Sequence, residues 1–552
     1  MYVNSGGLTM DAQFLAELLY PNIKTLPQDI EARYPARNLP EGAKVTRFAP
    51  SPTGFLHIGN LYGAFTDERL AHNSGGVFYL RIEDTDAKRT VPNGIQIIIE
   101  TLAKLGVNFD EGAVIDGDKG DYGPYRQSER AEIYQTFAKQ LIREGKAYPC
   151  FCTEEELTAI REKQETEKLN PGYYGEFAIW RDAPIEKIQE KLQEGVPFVL
   201  RFKSDGNLNN KHKFRDEIKG EIDVTENDID HVILKSDGIP TYHFAHAVDD
   251  HLMGTTHVIR DESWLSTLPF HIQLFKALGF KMPKYCHTAQ VLKLDNGNKR
   301  KISKRKDPEA ALTYYHSQGY PVSAVREYLL TILNSNFEEW RLANPEAAIE
   351  DFKFTTKKMS VSGSLFDLDK LNDISKNVIS RMSAEEVYEY TLTWAKENDV
   401  DFAKILEADR DYAVSILSIG RGGKKPRKDL ALWSEVKGYM SFFYDDLFEA
   451  VDAIPESFSA EDVKAICNDF AASYDETVEQ NDWFANIKAI AEKNGFCPDM
   501  KQYKANPEAF KGSVADVSMF LRIAVTGRMN SPDLYEVMKI LGKERVLARV
   551  LK

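Results

Sequence analysis

The sequence predicts an α/β protein with a doubly wound parallel sheet, an α+β insertion within it, and an all-helical C-terminal region. Three observations lead to this fold class. Strand and helix patterns alternate from residue 45 to about residue 106, the alternation resumes near residue 238, and helical periodicity alone continues beyond about residue 310. Ligands of such sheets bind beyond the carboxyl ends of the strands, so we expect the functional residues there.

The first strand and helix are joined by a distinctive turn, RFAPSPTGFLHIGN at residues 47–60. Prolines and glycine end the strand, and apolar residues then recur at helical spacing from Ile58. A helix N-terminus attracts phosphates because its free amides and its dipole are positive. His57 can donate a hydrogen bond to a phosphate, and Gly59 leaves room for a base or ribose. The turn therefore predicts a nucleotide site, with a buried core histidine beside a tight turn as the alternative.

A second strand at residues 77–82 and an amphipathic helix ending near Gly106 complete the first half of the sheet. Arg47 on the first strand, Glu83 after the second and Arg260 after a later strand all occupy strand ends. Two arginines that converge at one sheet edge can bind a carboxylate, and Glu83 can hold an ammonium group. This set suits an amino acid with a second carboxylate; salt bridges between neighbouring strand ends are the alternative.

A basic stretch, KRKISKRK at residues 299–306, lies on a polar segment far along the chain. Lys301 and Lys304 flank Ser303, which suits the clamping of a pyrophosphate leaving group. Charge stabilisation at departing oxygens is usually the largest catalytic contribution, and lysine acts as a mobile point charge. Taken alone, such a stretch is more often a solvated surface loop.

Taken together, the two motifs resemble the HIGH and KMSKS signatures of class I aminoacyl-tRNA synthetases. The variants H-I-G-N at 57–60 and K-I-S-K-R at 301–305 look most like those of bacterial glutamyl-tRNA synthetases. The similarity spans about residues 44–552, and SLFDLDKL at 364–371 and LGKER at 541–545 resemble the all-helical C-terminal region of that bacterial type. It implies a Rossmann-like catalytic domain and glutamate–tRNA ligase activity.

Composition shifts and the resemblance together divide the chain into six parts. These are an N-terminal extension at 1–43, the first half of the catalytic domain at 44–114, an inserted connective, acceptor-binding domain at 115–237, the second half of the catalytic domain at 238–290, a KMSKS loop and helical stem-contact domain at 291–377, and all-helical anticodon-binding domains at 378–552. In the last part, Ser383, Ser459 and Ser531-Pro532 predict helix starts.

The resemblance also implies roles for individual positions. Those implied for glutamate binding are Arg47, Ala49, Ser51, Glu83, Tyr242 and Arg260. Those implied for ATP binding are Pro50, Thr53, Gly54, His57, Gly59, Asn60 and Lys304, and those for catalysis are His57, Gly59, Lys301, Ser303 and Lys304. Trp264 and Arg427 are candidates for contact with tRNA, with ordinary core and a solvated basic turn as their respective alternatives.

The implied reaction has two steps. The α-carboxylate of L-glutamate attacks the α-phosphorus of ATP, giving glutamyl-adenylate and pyrophosphate, and the terminal ribose hydroxyl of tRNA-Glu then attacks the adenylate carbonyl. Positioning and charge stabilisation suffice, so no covalent nucleophile is required. Mg²⁺ is expected with ATP, held mainly by phosphates and water.

No dedicated metal site is expected. Asp249-Asp250-His251 matches a fold element beside the pocket of the family. Cys150 and Cys152 match half of a zinc site found in some glutamyl-tRNA synthetases, but residues 174–179, where the other half should fall, contain neither cysteine nor histidine. Structural zinc usually needs four ligands, so we expect no zinc and cysteines that pack as small hydrophobes.

Composition fits this interpretation without proving it. The chain has 552 residues, a net charge of −15 and five cysteines. It has no apolar run of the roughly 20 residues needed to span a bilayer and no secretory pattern at its N-terminus. These features favour a cytoplasmic protein without disulfides, and a monomer is the family expectation. The acidic balance argues weakly against a nucleic-acid partner, but local basic clusters leave tRNA binding open.

Three other functions are alternatives to glutamate–tRNA ligase. A glutaminyl-tRNA synthetase shares both motifs, but two arginines at the substrate and a helical C-terminal region argue against it. A shorter paralogue that modifies a tRNA base lacks the anticodon domains. A non-catalytic RNA-binding or assembly protein has no need of Lys301 and Lys304 as leaving-group lysines.

Overall fold

The computed structural model describes residues 5–52, 54–86 and 90–552. The chain forms two compact units: the first runs to Tyr314 and adds Arg326–Asp367, and the second holds Tyr315–Val325 and Leu368–Lys552. Thr53, predicted to bind ATP, lies outside the described residues. The finer domain boundaries predicted above stay predictions.

The helices are α1 Ser5–Leu19, α2 Pro27–Glu31, α3 Ile58–His72, α4 Gly94–Lys104, α5 Ala131–Arg143, α6 Glu154–Thr166, α7 Ile185–Gln193, α8 Tyr242–Leu252, α9 Leu268–Leu278, α10 Leu312–Gln318, α11 Val322–Leu333, α12 Phe337–Ala343, α13 Leu368–Arg381, α14 Ala384–Asn398, α15 Val400–Ala408, α16 Arg410–Leu417, α17 Trp433–Met440, α18 Ala460–Ser473, α19 Gln480–Lys493, α20 Met500–Ala505, α21 Val514–Thr526, α22 Leu534–Leu541 and α23 Lys543–Val550. The strands are β1 Val45–Phe48, β2 Val77–Leu80, β3 Glu111–Val114, β4 Gly117–Lys119, β5 Ala147–Cys150, β6 Val199–Phe202, β7 Lys211–Asp216, β8 Gly220–Thr225, β9 Val232–Leu234, β10 His257–Asp261, β11 Lys284–Thr288, β12 Val291–Asp295, β13 Asn298–Lys301 and β14 Ser364–Leu365.

The predicted doubly wound parallel sheet is present in the first unit. Strand β1 pairs in parallel with β2, β2 with β3, and β10 with β11. The two halves meet beside β1, where the Thr256 amide donates to the Val45 carbonyl at 3.0 Å. All four residues of β1 are buried, as expected for a central strand covered on both faces. The carboxyl ends of β1 and β10 therefore lie side by side, and Arg47 and Arg260 occupy them.

The insertion has more strand than the sequence pattern predicts. Strands β6 and β9 form an antiparallel sheet with β5. The antiparallel hairpin β7–β8 was not predicted, because most of its residues are polar and exposed.

A second unpredicted hairpin, outside the insertion, pairs β12 with β13. Lys301 therefore ends a strand, and only the residues after it form the loop.

The N-terminal extension packs on the insertion through α1. Helix α1 ends at Leu19 and contacts α5. The buried ammonium of Lys139 on α5 donates to Glu17 at 2.9 Å and to the carbonyls of Tyr20 and Ile23 at 2.9 and 2.8 Å. Farther along, Arg37 Nε donates to the Met253 carbonyl at 2.8 Å.

The second unit is helical throughout its described residues and has its own apolar core. Ser383 and Ser459 cap the helices α14 and α18, as predicted. The predicted start at Ser531-Pro532 is wrong: the cap is Asp533, whose carboxylate accepts from the Glu536 amide at 3.1 Å. Across the described part of the chain, no helix is long and apolar enough to cross a membrane.

Candidate active site

A cavity of about 620 Å³ opens at the carboxyl ends of β1 and β10 in the first unit. Most of the predicted site residues line it, although they come from distant parts of the chain. Those on its wall are Arg47, Ala49, His57, Gly59, Asn60, Tyr242, Arg260, Trp264, Lys301, Ser303 and Lys304. Pro50, Ser51, Gly54 and Glu83 are described but do not line it, and Arg427 belongs to the second unit.

His57 caps the first turn of α3. Its Nδ1 accepts from the Asn60 amide at 3.3 Å, and the Asn60 side chain accepts from the His57 amide at 3.0 Å. Because Nδ1 is an acceptor, the proton of the neutral ring lies on Nε2, which is left to donate. Burial, with Lys304 and Lys301 nearby, lowers the pKa of His57 to about 4. At neutral pH His57 is thus an uncharged donor at a helix N-terminus, which suits a phosphate oxygen.

The loop after β13 is anchored by Asp307, a residue that was not predicted from the sequence. Its buried carboxylate accepts from Arg300 Nη1 at 2.7 Å, from Arg300 Nη2 at 2.8 Å and from the Ser303 amide at 2.9 Å. These bonds, led by Arg300, hold the pKa of Asp307 well below its usual range. The anchored loop presents Lys301 and Lys304 to the cavity, and Lys304 Nζ donates to the Phe55 carbonyl.

Arg47 is held by a buried carboxylate on α8. Its Nε donates to Asp250 Oδ1 at 2.9 Å, and Arg81 Nη1 reaches the same oxygen at 2.8 Å. The neighbouring Asp249 pairs with Arg130 Nε at 2.8 Å. Both aspartates are fully buried and serve arginines, while His251 pairs with Glu31. The acidic stretch therefore positions cationic side chains around the site.

Arg260 has a different environment. Its Nε donates to His287 Nε2 at 2.9 Å, its Nη1 donates to His271 Nδ1 at 3.0 Å, and the guanidinium lies over the Tyr285 ring at 4.6 Å. Its Nη2 is buried and makes no hydrogen bond to any described residue. Arg260 thus keeps both its charge and a free donor, which a ligand carboxylate can use.

Glu83 contacts Arg81 and does not line the cavity. It accepts from Arg81 Nη2 at 3.2 Å, and its amide donates to the Pro50 carbonyl at 3.0 Å. Burial raises the pKa of Glu83 to about 7, against the opposing effect of Arg81 and Arg47. Arg260, unlike Arg47 and Arg81, has no carboxylate partner among the described residues, so an anionic ligand group is favoured beside it.

Two aromatic rings complete the wall. The rings of Tyr242 and Trp264 lie with centroids 4.4 Å apart, and both residues line the cavity. Trp264 is half-buried, so it is neither ordinary core nor a fully exposed contact. Its predicted contact with tRNA stays a prediction.

Arg427 and the cysteine pair have local partners. Arg427 forms a bidentate pair with Asp429, with distances of 2.6 and 3.0 Å. The thiols of Cys150 and Cys152 each lie 3.5 Å from the hydroxyl of Tyr173. In the residues that the structure describes, no group of three or more His, Cys, Asp or Glu side chains is arranged to hold a metal ion.

Comparison with known proteins agrees with this geometry. Residues 44–373 match the family described as tRNA synthetases class I (E and Q), catalytic domain, and residues 427–552 match an anticodon binding domain. A glutamate–tRNA ligase of Acetivibrio thermocellus is 53% identical over 542 residues, covering 98% of this chain and 99% of that one. The chain belongs to the glutamate–tRNA ligase family. The family member of Clostridium perfringens strain 13 is 49% identical, covering 98% of this chain and 100% of that one.

The fold of the family is confirmed by a solved structure. A glutamate tRNA ligase from Elizabethkingia meningosepticum, solved in complex with its amino acid, superposes with a TM-score of 0.72 at 28% identity. The match covers 92% of this chain and 98% of that one. The predicted fold class and family are therefore confirmed.

The functional residues that were not predicted from the sequence are those that hold the predicted site residues in place. Asp307 directly follows the basic stretch at residues 299–306, so an acidic residue at the end of that stretch was a usable signal. His271 and His287 carried no local signal, because only the pairing of β10 with β11 and the packing of α9 bring them to Arg260.

Proposed function

We infer that this chain is a glutamate–tRNA ligase that activates L-glutamate with ATP and transfers it to the 3′-terminal adenosine of tRNA-Glu. One observation supports this most strongly. Arg260 is buried without a carboxylate partner among the described residues and lines the same cavity as Arg47, His57 and Lys304. A site for an acidic amino acid thus adjoins a site for nucleotide phosphates.

In the activation step, Arg47 and Arg260 bind one carboxylate of glutamate and leave the other to attack the α-phosphorus of ATP. The bound ammonium is placed near Glu83, and Ala49, Ser51 and Tyr242 complete the amino-acid pocket. Arg47 still has both Nη atoms for the substrate, because its bond to Asp250 uses Nε. Fixing both reactants at one sheet edge lowers the entropic part of the barrier.

The leaving pyrophosphate is stabilised by the helix α3 N-terminus and the loop after β13. His57 donates from Nε2, and Gly59 and Asn60 border the nucleotide. Pro50, Thr53 and Gly54, which precede His57 in the sequence motif, are our further candidates for ATP binding. Lys301, Ser303 and Lys304 neutralise charge that develops on the departing oxygens. ATP enters as its Mg²⁺ complex, with the ion held by phosphates and water.

In the transfer step, the terminal ribose hydroxyl of the tRNA attacks the adenylate carbonyl. Trp264 is our candidate for contact with the tRNA end, and Arg427 for contact with the anticodon loop. Asp429 currently engages the Arg427 guanidinium, so a phosphate would have to replace that carboxylate. A cytoplasmic monomer remains our expectation.

Glutamine is disfavoured by the same electrostatics. A neutral amide cannot compensate the Arg260 charge, and a buried cation without a counter-charge is costly. Glutaminyl-tRNA synthetase therefore remains the weaker alternative, although the matching family model covers both amino acids.

The test is aminoacylation of purified tRNA-Glu and tRNA-Gln transcripts with labelled glutamate and ATP, with labelled glutamine in parallel. Glutamate on tRNA-Glu alone indicates a discriminating enzyme, and glutamate on both transcripts a non-discriminating one. If the protein binds tRNA but charges neither transcript, the result would indicate a non-catalytic RNA-binding protein.

Arg260→Ala refines this test. We expect loss of glutamylation at low glutamate, and the exposed Arg33→Ala serves as the matched control. Full glutamylation by the Arg260→Ala variant at low glutamate would contradict the role of Arg260.

A further inference from the structure

Five of the eleven histidines of the chain pack together beneath Arg260. His271 and His287 bond to Arg260 directly, and the rings of His243 and His246 lie 5.1 and 4.8 Å from the ring of His271. His231 continues the cluster, with its ring 5.9 Å from that of His243. Such a concentration of imidazoles around one arginine is not needed for packing alone, since apolar side chains would fill the space at lower polar cost.

Hydrogen-bond direction fixes the protonation of this cluster. A guanidinium only donates, so His287 Nε2 and His271 Nδ1 must both be unprotonated acceptors. The other nitrogen of each ring then donates: His287 Nδ1 to Asp216 Oδ2 at 2.7 Å, and His271 Nε2 to His243 Nδ1 at 2.9 Å. Burial also lowers the pKa of both rings, most strongly that of His271. Arg260 is therefore held by two neutral rings in defined tautomers.

The outer end of the chain of bonds is anchored by the insertion. Asp216 is the last residue of β7, is buried, and also accepts from the amides of Ile218 at 2.9 Å and Lys219 at 2.8 Å. The carboxylate is thus fixed and keeps the His287 proton on Nδ1. It lies one imidazole away from Arg260, so it orients the pair without contacting the guanidinium.

This arrangement contrasts with that of Arg47. The Arg47 guanidinium contacts the carboxylate of Asp250 directly, at 2.9 Å, which offsets its charge. A carboxylate in the place of His271 would do the same to Arg260 and would compete with the substrate carboxylate.

We propose that His271 and His287 are positioning residues for amino-acid selection: as neutral acceptors they fix the Arg260 guanidinium while leaving its full positive charge to the substrate carboxylate. The proposal rests on the proposed function, because it deepens the assignment of Arg260 to glutamate. It assigns the preference for glutamate over glutamine partly to side chains that never touch the substrate.

The decisive comparison is His271→Asn against His271→Asp in the full-length protein. The two variants have nearly the same shape, and each retains an acceptor oxygen for Arg260, but only the aspartate brings a charge. Calorimetric titration with L-glutamate and with L-glutamine gives the dissociation constants, and charging assays give the KM for ATP. We expect glutamate to bind at least about 10-fold more weakly to the Asp variant than to the Asn variant. The aspartate competes for Arg260, so the charge-assisted bond between Arg260 and the substrate carboxylate is lost. The preference over glutamine should shrink while the KM for ATP stays equal in the two.

A second pair of variants tests the other acceptor, His287, and keeps the proposal testable if substitutions at residue 271 prevent folding. His287→Leu removes the acceptor and should weaken glutamate binding about 10-fold or more, whereas His287→Gln, whose Oε1 can replace Nε2, should restore most of it. Equal glutamate affinity within both pairs would overturn the proposal. Binding is read directly, so wild-type protein that binds glutamate but charges no tRNA would refute the proposed function alone.

Discussion

Gly59 lies so close to His57 that a β-carbon on residue 59 would come within 2.9 Å of His57 Cε1 and 3.0 Å of His57 Nδ1. Gly59→Ala must therefore turn the imidazole away and break its bond to the Asn60 amide. We expect kcat/KM for ATP to fall about 100-fold, the loss typical of a catalytic group displaced by about 1 Å. ATP–pyrophosphate exchange at limiting ATP, with tRNA-Glu and glutamate saturating, measures this.

Gly438→Ala is the matched control for that change. Gly438 lies inside α17, and a β-carbon there meets nothing within 4 Å. The control should raise thermal stability slightly, because alanine favours a helix, and leave exchange as in wild type. If Gly59→Ala catalysed exchange as fast as the control, the position of the His57 imidazole would not depend on the absence of a side chain at residue 59.

Asp307→Asn should release the loop that presents the two motif lysines. The substitution removes the charge that holds Arg300 and weakens the bond from the Ser303 amide. We expect kcat for adenylate formation to fall about 10-fold or more, with the KM for glutamate unchanged, since the loop acts at the leaving group. Asp295→Asn, which affects only the more exposed partner of Arg300, is the control. Equal kcat values for the two variants would show that the anchor at Asp307 is dispensable.

Local signals explain why much of the site was predictable from the sequence. His57, Lys301 and Lys304 lie in contiguous motifs, and Arg47 and Arg260 follow recognisable buried strands. The parallel sheet then brings these ends together without further information.

The groups that hold these residues were not predictable in the same way. Asp216 reaches His287 across 71 positions, from a hairpin whose polar, exposed residues hide its strand character. Arg47 reaches Asp250 across 203 positions. Such contacts depend on how the insertion and α8 pack on the sheet, and no periodicity within one element encodes them.

Lys304→Ala should abolish fast adenylate formation while tRNA binding changes little. Lys304 lines the cavity, and burial lowers the pKa of its ammonium somewhat. Removing a charge that stabilises the departing pyrophosphate typically costs about 100-fold or more in rate. Rapid-quench measurement of adenylate and a filter assay of tRNA affinity separate the two effects. Lys306→Ala, an exposed lysine of the same loop that does not line the cavity, is the control, and a proportionate loss of rate and tRNA affinity in Lys304→Ala would refute the leaving-group role.

Glutamate binding should strengthen as the pH rises through about 7. Burial raises the pKa of Glu83 to about 7, so Glu83 is mostly protonated below that value and mostly ionised above it. Only the ionised form of Glu83 attracts the substrate ammonium. The charged groups around Glu83 are Arg81 at 3.2 Å, Arg47 and Asp250, and these keep their charges between pH ~6 and pH ~8. We expect the KM for glutamate to be about 10-fold higher at pH ~6 than at pH ~8, the change in ionised fraction for one group of this pKa. Neither the pKa of His57, about 4, nor that of His271, well below its ordinary value, falls in this window. Glu83→Gln should therefore have a high and nearly constant KM; a variant that kept the wild-type pH profile would place the titrating group elsewhere.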